Sequence, residues 1–334
     1  MKILVTGGAG YIGSITCTAL ERAGHSPVVL DSLVCGRREF VQGRPFYEGD
    51  IGDRALIARI VDEHPDLALT IHMAARISVP ESVALPYTYY RDNIAKSLEM
   101  FDELVSRGKP RIVFSSTASL YDVSPDFEVT EESPLSPQSP YAKTKRVIEM
   151  ALEDMAQVTD LRAIILRYFN PLGSDPELRS GVYDREPGNV IGQLLLAATG
   201  DRAAFTITGV DHPTRDGTGL RDYVHVWDVA LAHVAAVEKF DEALDAVGAA
   251  TTIMNIGTGE GVTVRELLSA FEDVSAKKVP VREAPPRPGD AVGAFANVDK
   301  AQELLGWSSQ LTLPEAIASS LEWFHRRRDV LGYA

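Results

Sequence analysis

The sequence predicts an α/β fold, a doubly wound parallel sheet followed by a smaller C-terminal α/β domain. Short β-branched runs alternate with helix-period segments through the first half, a glycine-rich turn joins the first run to the first helix, and after Asn170 the alternation breaks into stretches rich in Pro, Gly and Asp. The first strand is Lys2 to Thr6, and a helix then rises through Cys17, Leu20 and Glu21. Val28 to Asp31 forms the second strand, and a third ends near Tyr47-Glu48-Gly49. Thr70 to Met73, Arg111 to Ser115 and Ala163 to Arg167 follow as further buried strands. Leu56 to Glu63, Asn93 to Ser106 and Tyr141 to Gln157 carry helical periodicity and are long enough to be right-handed crossovers covering a parallel sheet. Beyond them, residues 171–188, 212–219 and 285–290 punctuate shorter elements. The expected division is residues 1–170 for the first domain and 171–334 mainly for the second. The run Tyr223 to Val226, the helix Asp228 to Lys239 and the strand Ile253 to Ile256, within 222–256, are expected to return to the first domain.

Composition narrows the classes. With 334 residues, 45% hydrophobic and 24% charged, the chain has the balance of a globular protein with a sizeable core. Its net charge of −14 repels phosphate backbones and anionic lipid, so nucleic acid is not an expected partner. Cys17 and Cys35 form no CxxC pair and are expected to be reduced, in a cytoplasmic protein. The apolar start is too short for a signal-peptide core, and no window approaches 18 uncharged apolar residues, so no membrane association is expected. The seven histidines include no HxxxH or HxH pair and sit with no cysteine, so no metal is expected. The run His325 to Arg328 reads as a solvated helix end favoured by the helix dipole.

The turn Thr6-Gly7-Gly8-Ala9-Gly10-Tyr11-Ile12-Gly13 is GxxGxxG between a strand and a helix. Gly7 permits the tight turn, Gly10 lets the backbone approach a pyrophosphate, and Gly13 allows close packing. Tyr11 and Ile12 open the helix whose N–H groups face the anion. This is a Rossmann-type dinucleotide site. Eighteen residues past Gly13, Asp31 ends the second strand, followed by Ser32; a carboxylate there accepts both ribose hydroxyls and repels a 2′-phosphate, favouring NAD. Arg37 and Arg38 read as solvated loop arginines or as residues that soften that preference. Asp50 and Ile51 fall at the adenine edge, and Met73, Ala74 and Ala75 follow the fourth strand beside the cofactor.

Tyr141-Ala142-Lys143-Thr144-Lys145 is YxxxK at the start of a helix, which sets Tyr141 and Lys145 one turn apart on one face. A tyrosine of pKa about 10 is phenolate in only about one molecule in a thousand at pH 7, and a neighbouring ammonium favours the charged form. Ser115-Ser116-Thr117 ends the strand before it.

Together these motifs resemble an extended short-chain dehydrogenase/reductase. The segments Ser139 to Lys145, Arg167-Tyr-Phe-Asn-Pro171, Asp216 to His225 and Arg287-Pro-Gly-Asp290 are similar to those of the UDP-glucose 4-epimerase family, over residues 1 to about 325. The resemblance implies that Tyr141 removes the proton from the sugar 4-hydroxyl while hydride passes from C4 to a tightly held NAD. The 4-keto sugar then turns over and takes the hydride back on its other face. Lys145 would hold the nicotinamide ribose and lower the tyrosine pKa, and Thr117 would share the hydrogen bond at O4. Ser115, Asn93 and Tyr168 would lie on the cofactor side. Ala118 and Ser119 would border the sugar; Asn170, Asn189, Val190, Thr206, Thr208 and Arg221 would hold the sugar and diphosphate, and Arg287 with Asp290 the uridine end. The related 4,6-dehydratases carry Thr-Asp-Glu where this chain has Thr117-Ala118-Ser119, so the elimination acid and base are missing. The resemblance also implies a homodimer, built on the helices Asn93 to Ser106 and Tyr141 to Gln157.

The departures bear on the substrate. Ile77 stands where many such epimerases have a cofactor-contacting lysine, with Arg76 a possible substitute, and Asp122 stands where glycine is usual. Ala294 occupies the place of a bulky tyrosine in relatives restricted to UDP-glucose and UDP-galactose, which implies room for a UDP-N-acetylhexosamine. Arg179, in a long loop after Asn170, would suit the carboxylate of UDP-glucuronate, or serve as a diphosphate ligand, or be an exposed loop charge. Rival readings are a non-catalytic NAD or nucleotide-sugar sensor, against which the Thr117, Tyr141 and Lys145 set speaks, and a net oxidoreductase or dehydratase. Net oxidation would release free NADH.

Overall fold

The computed structural model describes residues 1–122, 124–185, 187–286 and 292–332. Its centre is a seven-stranded, wholly parallel sheet of β1 (Lys2–Thr6), β2 (Ser26–Asp31), β3 (Phe46–Glu48), β4 (Leu67–His72), β5 (Arg111–Thr117), β7 (Arg162–Tyr168) and β12 (Thr251–Ile256). The spatial order is β12-β7-β5-β4-β1-β2-β3. Chain direction across the sheet reverses beside β1, and this switch point opens a crevice at the carboxyl ends of the strands. The expected strands are all present, several of them longer. β2 begins at Ser26 although Pro27 cannot donate a ladder bond, because Pro27 points to the side on which β3 pairs only Val29 to Asp31.

The smaller strands are β6 (Glu128–Val129), β8 (Asn170–Leu172), β9 (Phe205–Thr208), β10 (Leu220–Arg221), β11 (Tyr223–His225), β13 (Val262–Thr263), β14 (Val281–Ala284) and β15 (Gly293–Ala296). They form a four-stranded sheet in the order β13-β10-β15-β6 and the pairs β8 with β11 and β9 with β14. β11 pairs with β8 rather than joining the central sheet, whereas β12, the last strand of the same stretch, closes that sheet's edge.

The helices are α1 (Tyr11–Arg22), α2 (Arg54–Glu63), α3 (Val79–Ala84), α4 (Pro86–Tyr89), α5 (Lys96–Ser106), α6 (Pro140–Val158), α7 (Val190–Thr199), α8 (Val226–Glu238), α9 (Phe240–Val247), α10 (Val264–Ser275), α11 (Asp299–Leu305) and α12 (Leu313–Leu331). One face of the sheet packs against Ile15 and Leu20 of α1 and Val229 and Val237 of α8. The other face packs against Ile57 and Ile60 of α2, Phe101 and Leu104 of α5, and Ile148 and Leu152 of α6. A separate core joins Leu194 of α7, Phe205, Phe271 of α10 and Ile317 of α12. Each core residue named is fully or nearly fully buried and contributes on the order of 1.5–3 kcal/mol by leaving water. Among the described residues no helix is long and apolar enough to cross a membrane.

The helix expected from Asn93 starts at Lys96 and is preceded by a π-helical turn over Tyr90–Ala95. The wider turn carries Asn93, which is wholly buried.

Candidate active site

The residues with chemistry gather at the carboxyl ends of the strands. β1 runs into the glycine turn, β2 ends on Asp31, and Met73, Ala74 and Ala75 follow β4. β5 delivers Ser115 and Thr117, and β7 ends on Tyr168. One cleft is lined by Gly7, Gly10, Tyr11, Ile12 and Gly13, by Asp31 and Ser32, by Asp50 and Ile51, by Met73 to Ala75, and by Asn93 and Tyr168. Residues expected from distant parts of the sequence thus share one wall.

The cleft has the features an anionic dinucleotide needs. Gly10 caps α1 without a side chain, and no acidic residue stands in the helix's first turn, so its N–H groups open to the cleft. A Cβ on Gly7 would lie 2.7 Å from the Ala74 nitrogen, and one on Gly13 would lie 2.2 Å from the Gly7 oxygen. Positions 7 and 13 are therefore closed to any larger residue. Asp31 is oriented by two backbone donors, Ala9 N at 3.0 Å and Leu33 N at 2.9 Å. Burial raises its carboxyl pKa, and those two hydrogen bonds oppose the rise. Asp50 accepts from Gly52 N at 2.9 Å and pairs with Lys96 at 2.6 Å.

Two polar side chains of this wall are held by neighbours of their own. Asn93 lines the cleft, but its amide is bonded to both backbone atoms of Arg76 (2.8 and 3.0 Å) and to Thr144 Oγ1 (3.1 Å). It ties the segment after β4 to α6. Arg76 lines the same cleft beside Ile77, with its guanidinium held by Asp92 at 2.8 Å and Glu81 at 3.5 Å.

Tyr141 and Lys145 are both buried on α6, whose N-terminus is set by Ser139 accepting from Ala142 N at 3.1 Å with Pro140 as the first helical residue. Burial pushes the Tyr141 phenol up to about 12, and its hydrogen bond with Thr117 pulls the other way. Lys145 was expected to supply that lowering. Its ammonium instead donates to the Ser115 carbonyl at 2.7 Å and lies 4.8 Å from the Phe114 ring centre. Burial lowers the Lys145 pKa to about 7, opposed by Glu149 one turn further along α6. Thr117 Oγ1 also accepts from Ser119 N at 3.2 Å and lies 3.0 Å from the Ser119 hydroxyl, so the short 3-10 helix that begins at Ala118 keeps Ser119 beside Thr117.

Ser115 has a second role through its hydroxyl, 2.9 Å from His233 Nε2. The other ring nitrogen of His233 lies 2.8 Å from the Val229 carbonyl and must be its donor, so Nε2 accepts from Ser115. Tyr168 is hydrogen-bonded to the same hydroxyl. Burial lowers His233 to about 4, which keeps it neutral.

Beneath this group lies an ion pair that the sequence reasoning missed. Arg167 donates to both carboxylate oxygens of Glu149, at 3.0 and 2.7 Å, and Ser116 donates to Glu149 at 2.6 Å. Arg167 also reaches Tyr121 Oη at 3.0 Å, and Tyr121 bonds Asn255 at 2.6 Å. A glutamate four residues beyond the YxxxK lysine was the signal available.

The expected substrate side is more dispersed. Asn189 caps α7 by accepting from Gly192 N at 2.7 Å, and Val190 begins that helix. Asn170 is exposed at the start of β8. Arg221 on β10 donates to the Leu220 and Val292 carbonyls at 2.6 and 2.9 Å, and Ala294 on β15 stands in register with it. Thr206 accepts from Arg282 at 2.7 Å, with Thr208 at the end of the same strand. Arg287 and Asp290 lie outside the described residues. Arg179 does not reach the cleft lined by Tyr168. It is half-exposed, 3.3 Å from Glu177 and 3.6 Å from Asp175, because its loop supplies its own acidic partners.

Comparison with known proteins gives a consistent picture. Residues 3–257 match the model of the NAD dependent epimerase/dehydratase family. A UDP-glucose 4-epimerase of Rhizobium leguminosarum bv. trifolii is 42% identical over 321 residues, 96% of each chain. One of Bacillus subtilis is 40% identical over 343 residues, covering 100% of this chain and 99% of its own. Among solved structures, a UDP-glucose-4-epimerase from Stenotrophomonas maltophila with bound NAD and formylated UDP-arabinopyranose superposes with a TM-score of 0.92, at 35% identity and full coverage of both chains.

Proposed function

The chain belongs to the NAD dependent epimerase/dehydratase family, and from that premise we propose that it is a UDP-sugar 4-epimerase of the UDP-glucose/UDP-galactose type that retains its NAD. The observation that carries this reading is the grouping of Tyr141 with Thr117, and of Lys145 and Tyr168 with Ser115, at the ends of β5 and β7, where Tyr168 also lines the glycine-rich cleft. Gly7, Gly10 and Gly13 with the α1 N-terminus would hold the pyrophosphate, and Asp31 the ribose hydroxyls. Bound NAD supplies a reversible hydride acceptor.

The chain's own contribution is proton handling and orientation. Tyr141 takes the proton of the sugar 4-hydroxyl and later returns it, and Thr117, bonded to the phenol, steadies the charge in between. Lys145 is fixed by the Ser115 carbonyl at the place where it would orient the nicotinamide ribose. Inversion at C4 requires that both sugar faces meet the same cofactor, so the grip belongs on the nucleotide rather than on the sugar. Asn189, Arg221, Arg287 and Asp290 supply polar groups suited to it. Ala118 and Ser119, in place of two carboxyls, leave no acid and base for a 4,6-elimination. With Arg179 paired to Asp175 and Glu177 inside its own loop, the uronic-acid reading loses the support of that residue.

The homodimer has support in an exposed apolar face formed by Val83, Tyr87, Val147 and Met150, where α3 and α4 pack against α6. The apolar side of α5, expected to share in it, is core instead, with Met100, Phe101 and Leu104 fully buried.

The deciding experiment is proton NMR of purified protein with no added NAD, incubated separately with UDP-glucose, UDP-N-acetylglucosamine and UDP-glucuronate. Conversion of UDP-glucose to its 4-epimer without build-up of free NADH supports the proposal. No 4-epimer from any of the three would overturn it.

A further inference from the structure

We propose that Tyr183, carried on residues 181–184, is a clasp over the adenosine-ribose end of the cleft, fixed there by the C-terminal helix α12 and controlling how long the cofactor stays bound. The inference rests on reading the cleft as an NAD site. From its place after Asn170, the long loop that carries Arg179 is expected on the sugar side. The structure carries part of it to the opposite end, where Tyr183 lines the cleft wall with Asp31, Ser32, Cys35 and Gly36.

The ring of Tyr183 is held by its neighbours. Phe40 meets it edge-on, with centroids 5.9 Å apart and planes at 63°. The Arg37 guanidinium lies 4.7 Å from its centre, a cation–π contact that gives Arg37 a partner other than solvent. The backbone on either side is bonded to α12. Trp323 donates from its indole nitrogen to the Val182 carbonyl at 2.8 Å, and Arg327 donates to the Asp184 carbonyl at 2.7 Å. Trp323 is buried and also packs against Phe40, with centroids 5.9 Å apart. Gly181 permits this approach, since a Cβ there would lie 2.5 Å from Trp323 Cδ1.

An irregular segment has no ladder of its own to satisfy its carbonyls. Here two buried side chains of a distant helix satisfy the carbonyls on both sides of one aromatic residue. The result is a ring of fixed position beside the carboxylate that reads the ribose, on the opposite side of the cofactor site from the Tyr141 chemistry. Such a ring covers the ribose with apolar surface and must move before the nucleotide leaves, so it acts on release more than on proton transfer.

The test follows NAD release from the full-length protein. Parent, Tyr183→Phe, Tyr183→Ala and Trp323→Phe are saturated with NAD and passed rapidly into NAD-free buffer, and protein-bound NAD is assayed against time. Tyr183→Ala should release NAD about tenfold faster than the parent, the scale of losing one aromatic contact. Tyr183→Phe, which keeps the ring, should match the parent. Trp323→Phe, which keeps most of the packing but loses the bond to Val182, should fall between. Equal release from Tyr183→Ala and the parent would overturn the clasp, as would a Phe variant that leaks as fast as the Ala variant. A parent that carries no protein-bound NAD even after saturation would overturn the cofactor reading itself, a separate outcome.

Discussion

Lys145 donates to the carbonyl oxygen of Ser115 at 2.7 Å, while the hydroxyl of that same serine is engaged by His233. Ser115 thus joins α6 to β5 through its backbone and β5 to α8 through its side chain. The bond leaves a lysine 2% exposed, with its pKa brought by burial to about 7.

A pH dependence of stability follows. Unfolded, Lys145 titrates near its ordinary value of about 10.4, so between pH 7 and 10 the unfolded chain binds a proton that the folded chain does not. The free energy of unfolding, and with it the stability, therefore rises with pH across that window, by up to about 1.4 kcal/mol per pH unit from this group. Urea denaturation of NAD-free parent and Lys145→Met at pH 7, 8 and 9 should show the parent gaining on the variant at each step. Parallel pH profiles would contradict the depressed lysine.

The Glu149–Arg167 pair makes a different demand. Both residues are essentially inaccessible to solvent, and Glu149 accepts from Arg167 twice and from Ser116. The pair and its Ser116 donor adjoin the site on three elements: Glu149 lies one turn past Lys145, Ser116 precedes Thr117, and Arg167 precedes Tyr168. Glu149→Leu leaves the Arg167 guanidinium buried without its counter-charge and should cost about 3–5 kcal/mol by denaturant titration. The double variant Glu149→Leu with Arg167→Met removes both charges and should recover much of that loss. If the double variant were as unstable as the sum of the two singles, the pair would not be coupled as drawn.

Local pattern made the strands, the glycine turn and the YxxxK helix legible, because each is specified within a few neighbouring residues. The carboxyl-end location of the site followed from the parallel alternation. The partners that face the site from a distance in sequence were not legible. Glu149 and Arg167 look like ordinary helix and strand charges until β5, β7 and α6 are stacked, and Lys145 reaches Ser115 rather than acting on Tyr141 alone. Of the three readings of Arg179, the exposed loop charge fits, since Asp175 and Glu177 claim its guanidinium and a loop's length says nothing of where its side chains turn. The π-helical turn at Tyr90–Ala95 was hidden as well, and the partners of the Asn93 side chain it carries, Arg76 and Thr144, lie 17 and 51 residues away.

Asp31 should decide the cofactor. Its two oxygens are aligned by Ala9 and Leu33, and a Cβ on Gly36 would come within 2.9 Å of Oδ1, so the carboxylate is fixed with the cleft before it. Removing a charged acceptor of ribose hydroxyls costs about 1.5–3 kcal/mol, so Asp31→Ala should weaken NAD binding about 10- to 100-fold in a fluorescence titration. The same change removes the repulsion against a 2′-phosphate and should narrow the gap between NAD and NADP. Unchanged NAD affinity would withdraw Asp31 from the site.

Ala294 bears on which sugars enter. It sits half-buried on β15 in parallel register with Arg221 on β10, which places the two as neighbours on adjacent strands. A methyl group there leaves space that a tyrosine would fill, and an acetamido group at C2 needs such space. The parent should therefore convert UDP-N-acetylglucosamine as well as UDP-glucose. Ala294→Tyr should reduce the first activity by a factor of 10 to 200, roughly the discrimination that steric fit alone supplies, while leaving UDP-glucose within about threefold. Paired assays of both sugars on parent and variant separate the possibilities. A parent inactive on the acetamido sugar would mean that other residues close the space beside C2. An Ala294→Tyr variant that lost both activities equally would show that the position supports the site as a whole rather than its selectivity.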